Sequence, residues 1–106
     1  MIKADFDLFK KLFDKLEGEP EITIIFDDKT SKYMIIKYAD YVTFQRCGIS
    51  DGSGEIKFNN LSELYEAKTI DGICLKDDWG IINDIVINEG LSLRDDLDYI
   101  IEEFEL

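Results

Sequence analysis

The chain predicts an α+β fold: an N-terminal helix, an antiparallel sheet of about four strands, and C-terminal helices packed on that sheet. Three observations carry this expectation. Apolar residues recur at helical spacing near both ends of the chain. Between them lie short runs rich in Ile, Val, Thr and aromatics, separated by turn-prone residues. No glycine-rich strand-to-helix turn marks a parallel nucleotide-binding sheet. The 106 residues, 45% of them hydrophobic, suit one compact domain spanning 1–106 with its own core.

Ile2, Phe6, Phe9, Phe13 and Leu16 follow a helical stripe, widened by Leu8 and Leu12, and predict a helix over residues 4–17. Gly18 suits a left-handed cap and Pro20 prevents continuation. "EITIIFDD", "KYMIIKYAD" and "YVTFQRCG" then predict strands near 21–27, 33–39 and 41–47, joined by hairpin-length turns, and "EIKF" a fourth near 55–58. Asn60 followed by Glu63 resembles a capping box and starts a short helix near 61–67. Leu75, Trp79 and Ile82 share a helical face, so residues 75–82 read as a helix, with a strand turning at "DDWG" as the alternative. "DIVIN" is extended. "SLRDDLDYIIEEFEL" is a helix capped by Ser92, with Asp95 at its third position and Leu93, Leu97, Ile100, Ile101 and Phe104 on its stripe. "GICLKDDW" at 72–79 and "GLSLRDDL" at 90–97 are similar, which reads as two helix starts with acids in the first turn.

The segment "ISDGSGEIKF" has part of the order of a calcium-binding loop. With Gly54 as the central glycine, Asp51 and Ser53 fall on ligand positions. The other positions fail. Ile49 has no oxygen, Lys57 places a cation where a ligand belongs, and Asn60 replaces the bidentate Glu. The segment therefore reads as a glycine-rich hairpin loop, and no metal or cofactor is expected.

The chain contains no His, no nucleophile elbow and no phosphate loop, which removes the commonest bases, ligands and cradles of catalysis. Its acid doublets sit on adjacent positions, which do not face one another on a helix. No enzymatic activity is expected. Cys47 and Cys74 lack metal-ligand spacing and read as reduced thiols. The first residues do not form a secretory signal, and no apolar run spans a bilayer, so a cytoplasmic protein is expected.

Charge is the strongest signal. The net charge is −12, from 12 basic and 24 acidic side chains. Residues 1–70 hold 10 basic and 13 acidic groups, net −3; residues 71–106 hold 2 basic and 11 acidic groups, net −9. Such a field repels nucleic-acid backbones and anionic membranes and attracts a basic protein. Tyr33, Tyr38, Tyr41 and Phe44 therefore read as core and sheet-surface residues rather than base-stacking platforms. The last helix also places Glu102, Glu103 and Glu105 at the end where the helix dipole disfavours acids, so local helix stability does not account for them.

These features lead to a protein-interaction module that binds a basic partner, such as a nuclease or another nucleic-acid-binding protein, and inhibits it. The expected contacts are Asp77, Asp78, Asp84, Asp95, Asp96, Asp98, Glu102 and Glu103, with Trp79 and Tyr99 as apolar anchors. In size and charge alone the chain resembles nuclease immunity proteins and phage-encoded inhibitors of nucleic-acid enzymes, anti-CRISPR proteins among them. That resemblance implies an inhibitor carried by a phage or mobile element. Two other readings stand beside it: a structural module that forms a homo-oligomer through a sheet edge or apolar patch, and a small carboxylate-based metal-binding protein.

Overall fold

The computed structural model describes residues 2–48, 54–88 and 90–106. Its first helix, α1 (Phe6–Lys15), starts where the Asp5 carboxylate accepts the Leu8 amide at 2.8 Å. Such a cap satisfies one of the amides that a helix start leaves unbonded. Phe9, Leu12 and Phe13 bury the stripe. The helix is two residues shorter at each end than the periodicity suggests: Ile2 and Ala4 are buried ahead of it, and Leu16 is buried as its extended C-cap, its amide still donating to Leu12 O. Gly18, at φ +79°, then takes the left-handed conformation that glycine adopts without steric cost.

Six strands form one antiparallel sheet: β1 (Glu21–Phe26), β2 (Lys32–Lys37), β3 (Val42–Arg46), β4 (Glu55–Phe58), β5 (Ile82–Ile87) and β6 (Leu91–Ser92). Their order is β4-β3-β2-β1-β5-β6. The first four are the expected meander. The sheet gains two more strands because the chain crosses back from β4 and lays β5 beside β1, pairing Ile22 with Ile87 and Ile24 with Ile85. A register shift at Ile25/Phe26 then lets Phe26 pair with Ile82. β3 and β4 pair across the connection that contains the calcium-like segment, whose residues 49–53 lie outside the described residues.

Alternation sorts the strands into two faces. On the inner face Ile22, Ile24, Ile35, Phe44, Ile85 and Ile87 are at most 2% exposed. They form one core with Phe9, Leu12 and Phe13 of α1, Leu64 of α2 (Leu61–Glu66) and Ile100 of α3 (Leu97–Glu103). Tyr33 and Phe44, considered above for stacking, belong to this core. Two cations finish the inner face. Lys37 reaches the C-terminal carbonyls of α1, donating to Phe13 O at 2.8 Å, and Arg46 pairs with Asp71 at 3.3 Å. On the outer face Thr23, Ile25, Met34, Ile36 and Val86 are partly exposed and lie outside that core.

Residues 75–82 do not form the expected helix. Residues 75–77 make a turn, Trp79–Ile81 a short 3-10 turn, and Ile82 opens β5. The reason is local. Asp78 accepts the Cys74 amide through its side chain at 2.9 Å and donates its own amide to the Cys74 carbonyl at 2.8 Å, which closes the chain into a tight loop. Beyond it, the Ile-rich sequence pairs with β1. The last helix is also later than expected. Ser92 Oγ does accept the Asp95 amide at 3.0 Å, but it caps a turn, and α3 begins only at Leu97.

Candidate interaction surface

The ten acidic and aromatic residues singled out in the sequence fall into two groups. Four are occupied within the molecule. Trp79 packs against Phe6 and Phe9, with ring centroids 5.4 and 5.2 Å away, and donates its indole N–H to Ala4 O at 3.1 Å. Buried indoles need such a partner. Asp84 is 6% exposed and accepts from the Ile85 amide at 2.8 Å, Ser92 Oγ at 2.7 Å and the Arg94 amide at 3.1 Å. It ties β5 to the turn that follows β6. Asp78 holds its loop as described, and Asp96 accepts the Ser92 amide at 2.9 Å.

The other six point outward. Asp77 is exposed on the turn before Trp79. Asp95 is exposed and paired with Arg94 Nε at 3.2 Å; Arg94 also donates to Asn83 at 2.7 Å. Asp98, Glu102 and Glu103 are exposed, and their carboxylates make no hydrogen bond or ion pair among the described residues. Tyr99 is 55% exposed, the one large hydrophobic residue so exposed among those described. Residues three and four apart on a helix are neighbours, so Tyr99 stands between Glu102 and Glu103, with Asp98 four before Glu102.

The last turn of α3 contains no basic residue. Its free carbonyls are met from another element: Lys15, in the last turn of α1, donates to Phe104 O at 2.7 Å and Glu105 O at 3.2 Å. This tertiary cation relieves the carbonyl end of the helix, where an acidic sequence supplies nothing. Nothing in the sequence of α3 alone signals that contact.

Elsewhere, a groove of about 630 Å³ runs between α1 and α2. Lys10, Lys11 and Lys76 line it beside Asp7, Asp14 and Glu66, and four of these six charges are matched in two pairs, Lys10–Asp7 at 3.4 Å and Lys76–Glu66 at 3.9 Å. It therefore offers little net field. The buried Tyr65 at its edge has no hydrogen-bond partner for its hydroxyl, and burial, then Asp14, pushes that phenol above its ordinary range. Among the described residues no group of three or more His, Cys, Asp or Glu side chains is arranged to hold a metal ion. No helix among them is long and apolar enough to cross a membrane.

The molecule is thus an α+β protein with its helices on one face of an antiparallel sheet and an acidic terminal helix at the surface. Comparison with protein-family models, with curated proteins and with solved structures finds no match to this chain.

Proposed function

We propose that the protein is a non-enzymatic binding module that docks a basic protein through α3 and inhibits it. The observation that carries this reading is Tyr99, exposed among Asp98, Glu102 and Glu103, none of which has an internal partner. An exposed aromatic ringed by free carboxylates has the make-up of an interface centre: the ring supplies apolar area with few rotamers to fix, and the acids supply steering. Asp95, just before α3, extends the acidic rim, and Asp84 and Asp96 hold the turn that leads into the helix. A nuclease or another nucleic-acid-handling protein fits such a surface, because it presents cations to phosphates and these carboxylates would occupy the same cations.

The test is affinity capture with the full chain, followed by identification of what is held. Expected is retention of basic proteins that weakens as salt rises, and its loss in a variant with Asp98, Glu102 and Glu103 changed to lysine. Tyr99→Ala should weaken capture with little change in its salt dependence. Retention of the same proteins by the lysine variant overturns the reading.

A further inference from the structure

The sheet ends in two edge strands. β6 has two residues, and β4 (Glu55–Phe58) is the longer edge. β4 lies at the opposite end of the sheet from β6, the strand that leads into the acidic α3. α2, which follows β4, turns under the sheet and buries Leu64 in the core.

The pairing of β4 with β3 decides which backbone groups it turns outward. The Arg46 amide donates to the Gly54 carbonyl at 2.9 Å. That carbonyl points at β3, so the Glu55 amide across the same trans peptide points away. Successive residues alternate. Ile56 and Phe58 therefore bond β3, while Glu55 and Lys57 present their N–H and C=O groups to the open edge. Among the described residues no other segment bonds those groups.

The side chains alternate as well. Glu55 and Lys57 are exposed on the face away from the helices, two positions apart and opposite in charge. Ile56, paired with Phe44, points to the helix side; it is half-buried and stands outside the core. A lysine alone guards an edge by repelling a second copy. An acid and a base two residues apart are instead complementary to themselves.

We infer that β4 pairs edge to edge with β4 of a second copy, antiparallel about a two-fold axis at Ile56. Such a pairing brings outward groups onto outward groups only when the axis falls on a residue. Placed at Glu55, the axis sets Glu55 against Glu55; placed at Lys57, it sets Lys57 against Lys57. Placed at Ile56, it sets Glu55 of each copy opposite Lys57 of the other, and their N–H and C=O groups exchange hydrogen bonds on both sides of the axis. Ile56 then meets its own copy in the position without hydrogen bonds, where Cα atoms approach to about 4.5 Å, and its side chain is covered. One register thus satisfies the backbone, the charges and the apolar residue together. Lys57 rests over the Tyr41 ring, 4.3 Å from its centroid. Its flexible stem can turn from that ring to a carboxylate across the new pair, at a Cα spacing of about 5.5 Å. Strands this short make a small contact, so the dimer is weak and is held by strand addition rather than by buried area. α3 takes no part in it, so the pairing stands whether or not that helix docks a basic protein.

The experiment is sedimentation of the full chain from ~10 μM to ~1 mM, a range suited to a weak contact. Salt at about 0.15 M, with a Debye length near 8 Å, screens the repulsion between copies that each carry −12. The wild type should show a reversible monomer–dimer equilibrium. Lys57→Glu alone, and Glu55→Lys alone, should each weaken it roughly tenfold, since each turns both opposite-charge pairs into like-charge pairs. Mixing those two single variants should restore association as a heterodimer, because each altered position then meets its complement. The double variant should restore it within one chain. Hydrogen exchange locates the contact. The Glu55 and Lys57 amides should slow several-fold over that concentration range, while the Ile56 amide, already bonded to β3, should change little. Trp79 fluorescence confirms that each variant is folded. A wild type that stays monomeric throughout overturns the inference. So does a dimer unaffected by either single reversal, a mixture of folded single variants that fails to associate, or protection gained elsewhere than at Glu55 and Lys57.

Discussion

Asp78 and Asp96, eighteen residues apart, hold two copies of the same turn. Each accepts, through its side chain at 2.9 Å, the amide of the residue four before it, Cys74 or Ser92. Each also donates its own amide to that residue's carbonyl at 2.8 Å. Between the two contacts Leu75 or Leu93 is driven into the core at 0% exposure. The similarity between residues 72–79 and 90–97 is thus a loop that seats a leucine, and the second aspartate of each doublet is its latch. Asp78→Ala and Asp96→Ala should each cost about 1–2 kcal/mol in urea unfolding, with asparagine costing less because it keeps an acceptor oxygen. Leu75→Ala and Leu93→Ala should cost about 3–4 kcal/mol. Equal stability of the alanine and wild-type proteins would refute the latch.

What the sequence reveals follows from how local its causes are. The stripe of α1 and the alternation of β1 to β4 are periodic over their own length, so both were legible. Asn60 was readable as a cap for the same reason, and it accepts the Glu63 amide at 3.0 Å. Of β5, "DIVIN" was legible as extended, but its partner and its start were not: Ile82, read into the 75–82 helix, is pulled into the strand by pairing with β1, some sixty residues earlier. At the surface, the acids of α3 were legible as charge. The occupation of Asp84, Asp78 and Asp96 depends on backbone amides that turns bring to them, and charge counting treats a bonded carboxylate and a free one alike.

Asp84 makes the sharpest stability test. Its three donors come from β5, β6 and the turn after it. Asp84→Ala leaves the Ile85 and Arg94 amides without that acceptor and opens the edge beside β5. A loss of about 3 kcal/mol is expected in chemical denaturation. Hydrogen exchange should show the Ile85 and Arg94 amides losing protection first. A loss spread evenly over the sheet would mean that Asp84 does not pin this corner.

The free acids of α3 predict the opposite sign. Glu102 and Glu103 stand in the last turn, where negative charge opposes the helix dipole, and Glu102 also follows Asp98 by four positions. Glu102→Lys should therefore raise stability by about 0.3–1 kcal/mol at low salt, with the gain shrinking as salt is added. The same change should impair partner capture. Stability gained where binding is lost is the mark of a residue kept for its surface role. A destabilised Glu102→Lys would show instead that the carboxylate supports the fold.

The pH dependence turns on Tyr33 and Asp71. Tyr33 donates its hydroxyl to Asp71 Oδ2 at 2.5 Å, and Asp71 sits at φ +59°, a left-handed conformation uncommon outside glycine. Burial first, and then this hydrogen bond, pushes the Tyr33 phenol up to about 12. Burial raises Tyr65 in the same direction. A raised phenol stabilises the fold fully below the unfolded value near 10, and the contribution disappears as pH climbs through the folded value. Unfolding free energy should therefore fall between about pH 10 and 12, by at most about 1.4 kcal/mol per pH unit for each such tyrosine. On the acid side the Tyr33 hydroxyl, and then Arg46, hold the Asp71 carboxyl below its usual range, so its contribution is present above about pH 4 and is lost as pH falls. Tyr33→Phe should lower stability at neutral pH by about 1–2 kcal/mol and flatten the alkaline decline, leaving the part due to Tyr65. Denaturation curves from neutral pH into the alkaline range, with tyrosinate absorbance recorded alongside, check both effects. An alkaline slope unchanged by Tyr33→Phe would show that this phenol titrates alike in the folded and unfolded chains, against the burial and hydrogen bond that hold it neutral.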